Sequence, residues 1–109
     1  MSNEAKIRAI LKRPDEKVGH VTNISNNLQN LQRNVGGYIE TVTLCSDLVI
    51  ICDEEGRLKG KPYNCTIAGV DFVGDIVVLG VDGEEFTDCP LSFSDWKEHF
   101  LGIHEGRDA

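Results

Sequence analysis

Leu48-Val49-Ile50-Ile51-Cys52 decides how this chain folds. Five apolar residues in succession read as a strand buried on both faces, where a half-exposed strand would alternate. Asp53-Glu54-Glu55-Gly56 closes the run with a turn. A second run of the same kind, Asp75-Ile76-Val77-Val78-Leu79-Gly80-Val81, predicts another strong strand. Asp82-Gly83 follows it and favours a tight hairpin, because both central positions need positive φ. Glu84 to Thr87 is the returning strand. On the other side of the opening run, Tyr38 to Leu44 is rich in aromatic and β-branched residues and reads as a strand. Its Glu40 shares a face with Tyr38, Val42 and Leu44, where a carboxylate is either at the edge of an apolar face, paired with a base, or functional.

Further out, Ile7, Ala9 and Leu11 alternate with Lys6, Arg8 and Lys12, the period of a strand with a basic outer face. Pro14-Asp15-Glu16-Lys17 is a turn, and Val18 to Thr22 returns as a second strand. Ser25-Asn26-Asn27 offers helix-capping side chains ahead of Leu28, Leu31 and Val35, and the helix stops at Gly36-Gly37. Arg57 to Asn64 is a polar loop. At the other terminus Ser92 caps a last helix, with Asp95 three residues on and Leu91 and Trp96 spaced as a hydrophobic staple. Phe93, Trp96 and Phe100 form its apolar face, and Gly102 ends it. The order β-β-α-β-β-β-β-α predicts an α+β fold: one domain over residues 1–103, with a mostly antiparallel sheet, two helices and a frayed tail over residues 104–109.

With 109 residues the chain is one domain's worth, with room for one modest core. That excludes two-domain enzymes, transporters and solenoids. No apolar run approaches the ~18–20 residues of a membrane helix. The first residues lack the apolar core of a signal peptide, which points to a cytoplasmic setting. The net charge of −7 argues against duplex DNA binding as the main activity. The charge is also unevenly spread. Residues 1–34 carry six bases and three acids, whereas residues 35–109 carry five bases and fifteen acids. Asp71, Asp75, Asp82, Glu84, Glu85 and Asp88 fall in one stretch without a base. Such asymmetry marks a candidate docking surface, and it is equally the pattern of a solvated face. Arg57, Lys59 and Lys61, with Tyr63 beside them, form a basic island able to meet an anion, a nucleotide or an acidic partner.

No catalytic motif is present, so the chain reads as a binding protein and not an enzyme. Gly36-Gly37 ends a helix instead of cradling a phosphate. His20, His99 and His104 lack the spacing of a triad or a zinc protease. Cys45, Cys52, Cys65 and Cys89 contain no C-x-x-C pair. Cys52, Cys65 and Cys89 nevertheless sit at strand ends and loops that could converge on zinc, and they are the candidate ligands. The other reading of these residues is ordinary buried thiols.

Val35-Gly36-Gly37-Tyr38-Ile39-Glu40, Cys52-Asp53-Glu54-Glu55-Gly56-Arg57-Leu58 and Lys61-Pro62-Tyr63-Asn64 together carry a resemblance. With Val70 to Gly74, Gly80 to Phe86 and the last helix, the chain resembles a family of short proteins of unknown function borne by bacteriophages and mobile elements. Relatives often carry a further cysteine near Cys65, where this chain has Ala68, which weakens zinc by analogy. The resemblance implies a setting and not a reaction: the host bacterial cytoplasm, and an anti-defence role of the anti-CRISPR kind. The expected function is therefore non-enzymatic inhibition of a host defence protein, such as an RNA-guided nuclease, through a charged surface. The alternative is a small-molecule module that sequesters a nucleotide signal of host immunity.

Overall fold

A computed structural model describes residues 6–103. β1 (Lys6–Lys12) and β2 (His20–Ser25) lead into α1 (Leu28–Val35). β3 (Ile39–Cys45), β4 (Leu48–Asp53), β5 (Tyr63–Ile67), β6 (Val70–Val73), β7 (Ile76–Asp82) and β8 (Glu85–Thr87) follow, and α2 (Phe93–Asp95) continues into one π-helical turn, Trp96–Phe100. The chain is thus an α+β domain with an antiparallel sheet. The strands run β2-β1-β7-β4-β3, with β8 on β7. β1 and β8 share one edge of β7, meeting residues 76–78 and 80–82 in turn, while β4 holds the other edge.

The two apolar runs lie at the centre, and both faces of each are covered. Residues Val42, Ile50, Val78 and Ile10 form one row across the sheet. That face packs against Cys65, Ile67 and Phe72 of the β5–β6 hairpin and against Trp96. The opposite face, with Val49, Ile51, Val77 and Leu79, packs against Leu31 and Val35 of α1. α1 is closed as its sequence requires. Asn27 Oδ1 accepts from the Asn30 N–H at 2.8 Å, and Gly36 takes a left-handed φ of 77° at the C-cap. Leu28 departs from the expected apolar face and is 57% exposed. The second helix begins as expected, with the Asp95 N–H donating to Ser92 Oγ at 3.0 Å.

Two features of the fold go beyond the sequence reading. The first is the β5–β6 hairpin, which occupies part of the stretch expected as loop. Its turn is Ala68-Gly69, with φ of 52° and 80°. Alanine is a poor advertisement for a left-handed position, so the turn carries none of the Asn-Gly or Asp-Gly signal that betrays such hairpins. The second is the basic side of β1, which corrects the expectation of an outer face. Lys12 is 3% exposed, under the hairpin. Its ammonium donates to Asn64 Oδ1 at 2.7 Å, and the Asn64 amide donates to the carbonyls of Lys12 and Gly74 at 2.8 and 2.7 Å. Arg8 likewise donates to the carbonyls of Cys89 and Leu91. Alternation shows that a strand has two kinds of face, but what covers each face is a tertiary matter.

Asn64 therefore pins β5 to β1. Asn64→Ala strips the nearest acceptor from a buried ammonium and leaves two buried carbonyls without their donor, a loss of about 2 kcal/mol. A fall in urea midpoint at constant m-value checks this.

Candidate functional site

The strings that stand out in the sequence converge on one carboxylate. Asp53 ends β4, and its side chain is 1% exposed. Its Oδ1 accepts from the Glu55 N–H at 2.9 Å, fixing the turn that follows. Its Oδ2 meets Lys59 Nζ at 2.8 Å and Lys61 Nζ at 2.7 Å. The same two ammonium groups donate to the last carbonyls of α1: Lys61 to Val35 at 2.8 Å and Lys59 to Gly36 at 3.1 Å. Cations at a helix C-terminus meet both the orphan carbonyls and the negative end of the dipole. Gly37 completes the clasp, because a Cβ there would lie 2.5 Å from Asp53 Oδ1. Burial, the largest single influence on Asp53, pushes its pKa up. The hydrogen bonds from Lys59, Lys61 and the Glu55 N–H outweigh it and hold the carboxyl well below the usual range.

The clasp defines what the basic island can do. Lys59 and Lys61 share the single carboxylate of Asp53, which offsets one of their two charges, and Arg57 donates to the backbone carbonyl of Asp71. Tyr63 is 57% exposed, and its hydroxyl bonds Thr66 Oγ1 at 2.6 Å. The island is therefore a folded turn tied to α1 and β6, not a free cationic patch.

The six acids are not brought together. Asp82, Glu84 and Glu85 surround the β7–β8 turn, and the backbone bond from the Val81 N–H to the Asp47 carbonyl sets the β3–β4 turn beside them. All four of these acids are exposed. Asp88 instead accepts from the Arg8 N–H at 2.7 Å, Asp75 pairs with Arg13 at 3.7 Å, and Asp71 accepts from Thr66 Oγ1 on the hairpin.

Cys52, Cys65 and Cys89 do share one core cluster. Among the described residues, however, no group of three or more His, Cys, Asp or Glu side chains is arranged to hold a metal ion. Burial pushes all three thiols up. Cys52 rises to about 11, through burial first and then the charges of Glu40 and Asp53, against the pull of Arg57. Such thiols are poor nucleophiles, whereas Cys45 is exposed. Ellman's reagent at neutral pH should therefore titrate one thiol rapidly and the other three only after unfolding.

His20 lies on the surface, its Nδ1 3.0 Å from Glu16 Oε2, and His99 stands 3.7 Å from Asp95. His104 falls outside the described residues, as does the tail expected over residues 104–109. Among the described residues no helix is long and apolar enough to cross a membrane.

Sequence reasoning missed a pocket of about 360 Å³ beside the clasp. Glu40, Val42 and Cys52 of the β3–β4 pair form one wall, Glu54, Arg57 and Leu58 a second, and β6 a third. The placement of Glu40 and Val42 on one strand face was legible. The opposing wall was not, because it is built by the unadvertised hairpin.

Neither a curated protein nor a solved structure matches the chain. A family model described as a domain of unknown function (DUF3846) matches residues 7–101, which takes in every strand except the first residue of β1 as well as both helices. The clasp, the pocket and the acidic turn all lie inside that match, and the chain belongs to the DUF3846 family.

Proposed function

We propose that this protein is a non-enzymatic docking protein of a phage or mobile element, which inhibits a host defence nuclease in the bacterial cytoplasm by placing its acidic end on a basic surface of that enzyme. The observation that carries the reading is the β7–β8 end. Asp47, Asp82, Glu84 and Glu85 are gathered on two adjacent turns, and their carboxylates make no ion pair with a described residue. Nucleases that act on nucleic acid hold it in positively charged channels, and an unneutralised acidic end competes for such a surface. The alternative, a module that sequesters a nucleotide signal, draws on Arg57, Lys59, Lys61 and Tyr63, of which the two lysines share Asp53 and Arg57 gives one donor to the Asp71 carbonyl.

The test compares the wild-type chain with D82N/E84Q/E85Q in pull-downs and cleavage assays on a panel of RNA-guided nucleases. Micromolar wild-type protein should bind and slow at least one of them. Raised salt should weaken the effect, and the triple variant should lose about tenfold in affinity, as expected for rim charges that act through steering and complementarity. All three residues are exposed turn or hairpin positions, so the variant keeps its fold. If no defence nuclease is bound or slowed, the reading fails.

A further inference from the structure

The pocket beside β3 lies at the far end of β4 from the acidic turns, and it opens next to a feature the fold leaves unused. β3 is an edge strand of the sheet and pairs only with β4. None of its seven residues makes a backbone hydrogen bond on the outer side among the described residues. Natural edges of this length are commonly blunted by proline, charged side chains, bulges or a cover, and Ile39–Cys45 has no proline or lysine, its one charged residue being Glu40. A bulge between Thr43 and Cys45 interrupts only the last part of the strand.

The pocket's chemistry is lopsided. Val42, Cys52 and Phe72 supply apolar surface, and Leu58 beside them is 87% exposed. Glu40 and Glu54 also line it, against one guanidinium, Arg57, while the carboxylate of Asp71 is taken by Thr66 Oγ1. The fourth acid, Asp53, is neutralised by its two lysines. Glu40 and Glu54 are exposed, and neither makes a side-chain hydrogen bond or ion pair with any described residue.

We infer that this edge and pocket receive an extended segment of a partner protein, which adds to the sheet beside β3 and places a lysine or arginine side chain in the pocket. The backbone supplies affinity through ladder hydrogen bonds, and the pocket supplies specificity through one side chain in every two. Side chains on the added strand alternate between faces, so a residue beside Glu40 and Val42 points at the pocket. A long basic side chain suits both halves of the site. Its aliphatic stem lies on Val42, Phe72 and Leu58, and its charged head reaches Glu40 and Glu54. A second copy of this chain is a worse occupant, because its own β3 would offer Glu40 to a site already rich in carboxylates. The inference rests on the reading of the chain as a docking protein, but not on a nuclease being the partner.

The probe is the capped peptide acetyl-Thr-Val-Arg-Val-Thr-amide, with citrulline in place of arginine as the isosteric neutral control. Both are titrated to millimolar concentration into the ¹⁵N-labelled full chain. The expected result is amide shifts confined to β3, the 54–58 turn and β6, with hydrogen exchange slowed along Ile39–Cys45. The arginine peptide should bind about tenfold more tightly than the citrulline peptide, and E40Q/E54Q should erase that difference while D82N/E84Q/E85Q leaves it intact. Equal binding of the two peptides, shifts elsewhere, no shift at all, or a doubled mass showing β3 paired with a second copy would each overturn the inference. Peptide binding alongside a failed nuclease panel would uphold this site and sink the nuclease reading alone.

Discussion

Trp96→Ala should lower the unfolding free energy by about 3–5 kcal/mol, the range for deleting a large buried aromatic side chain. Trp96 is fully buried, in the cluster that joins Ile10, Leu48 and Cys89 to the β5–β6 hairpin. Its indole Nε1 donates to the Val18 carbonyl at 2.8 Å, and its ring stacks on Phe100 with centroids 6.2 Å apart. It is also the only fully buried side chain of the last helical segment, so its loss releases that segment from the sheet. Set against a total stability of about 5–15 kcal/mol for a domain, the change leaves the chain near the unfolding threshold. Trp96→Phe keeps most of the apolar area and removes only the donor to Val18, for about 1–2 kcal/mol. Urea titrations followed by circular dichroism separate the two variants, and a loss below about 1 kcal/mol for the alanine variant would contradict the packing described.

Asp53→Ala should cost about 3 kcal/mol, at the low end of the ~3–5 kcal/mol for breaking a buried ion pair. The lower figure applies because the lysines left behind are 40% and 23% exposed and can turn to water. The consequence is local as well as global: Lys59 and Lys61 lose the anchor that holds the 54–61 turn against α1, and the pocket loses a wall. The same carboxylate gives stability a pH dependence of known sign. Its folded pKa lies below its unfolded value of about 4, so its contribution is complete above that value and is lost as pH falls toward the folded pKa. Urea midpoints of wild type and Asp53→Asn, measured from pH 7 down to pH 2, should be well separated at neutral pH and converge below about pH 4. A separation that stays constant across the range would mean that the carboxylate's charge is not what holds the clasp.

The two central strands announce themselves by composition, because residues buried on both faces are uniformly apolar. The boundaries move by up to three residues, the largest shift being the end of β2 from Thr22 to Ser25. β2 begins at His20, not Val18, and β3 ends at Cys45, not Leu44. α1 is marked by local chemistry at both ends, since Asn27 and Gly36 act on backbone groups within one turn of themselves. The hairpin over residues 63–73 is different: its turn residue Ala68 adopts a conformation its type disfavours, and its apolar side chains are sparse until the sheet beneath them is known.

The candidate site residues divide along the same line. Charge, the clustering of acids and the position of Glu40 beside Val42 are properties of the chain read in order. The pairing of Asp53 with Lys59 and Lys61, the need for glycine at position 37, the covering of Lys12 and the pocket itself are not. Each depends on groups that local periodicity does not relate to one another, such as Lys61 and the carbonyl of Val35, brought together only when α1 and the 54–61 turn meet at the end of β4. An α+β domain with two doubly buried strands, a capped helix and an acidic C-terminal portion is written into the order of residues, because hydrophobic burial and helix capping act through pattern and near neighbours. Which charges pair inside the fold and which stay exposed depends on what lies across each strand and not along it, so only the folded chain fixes that division.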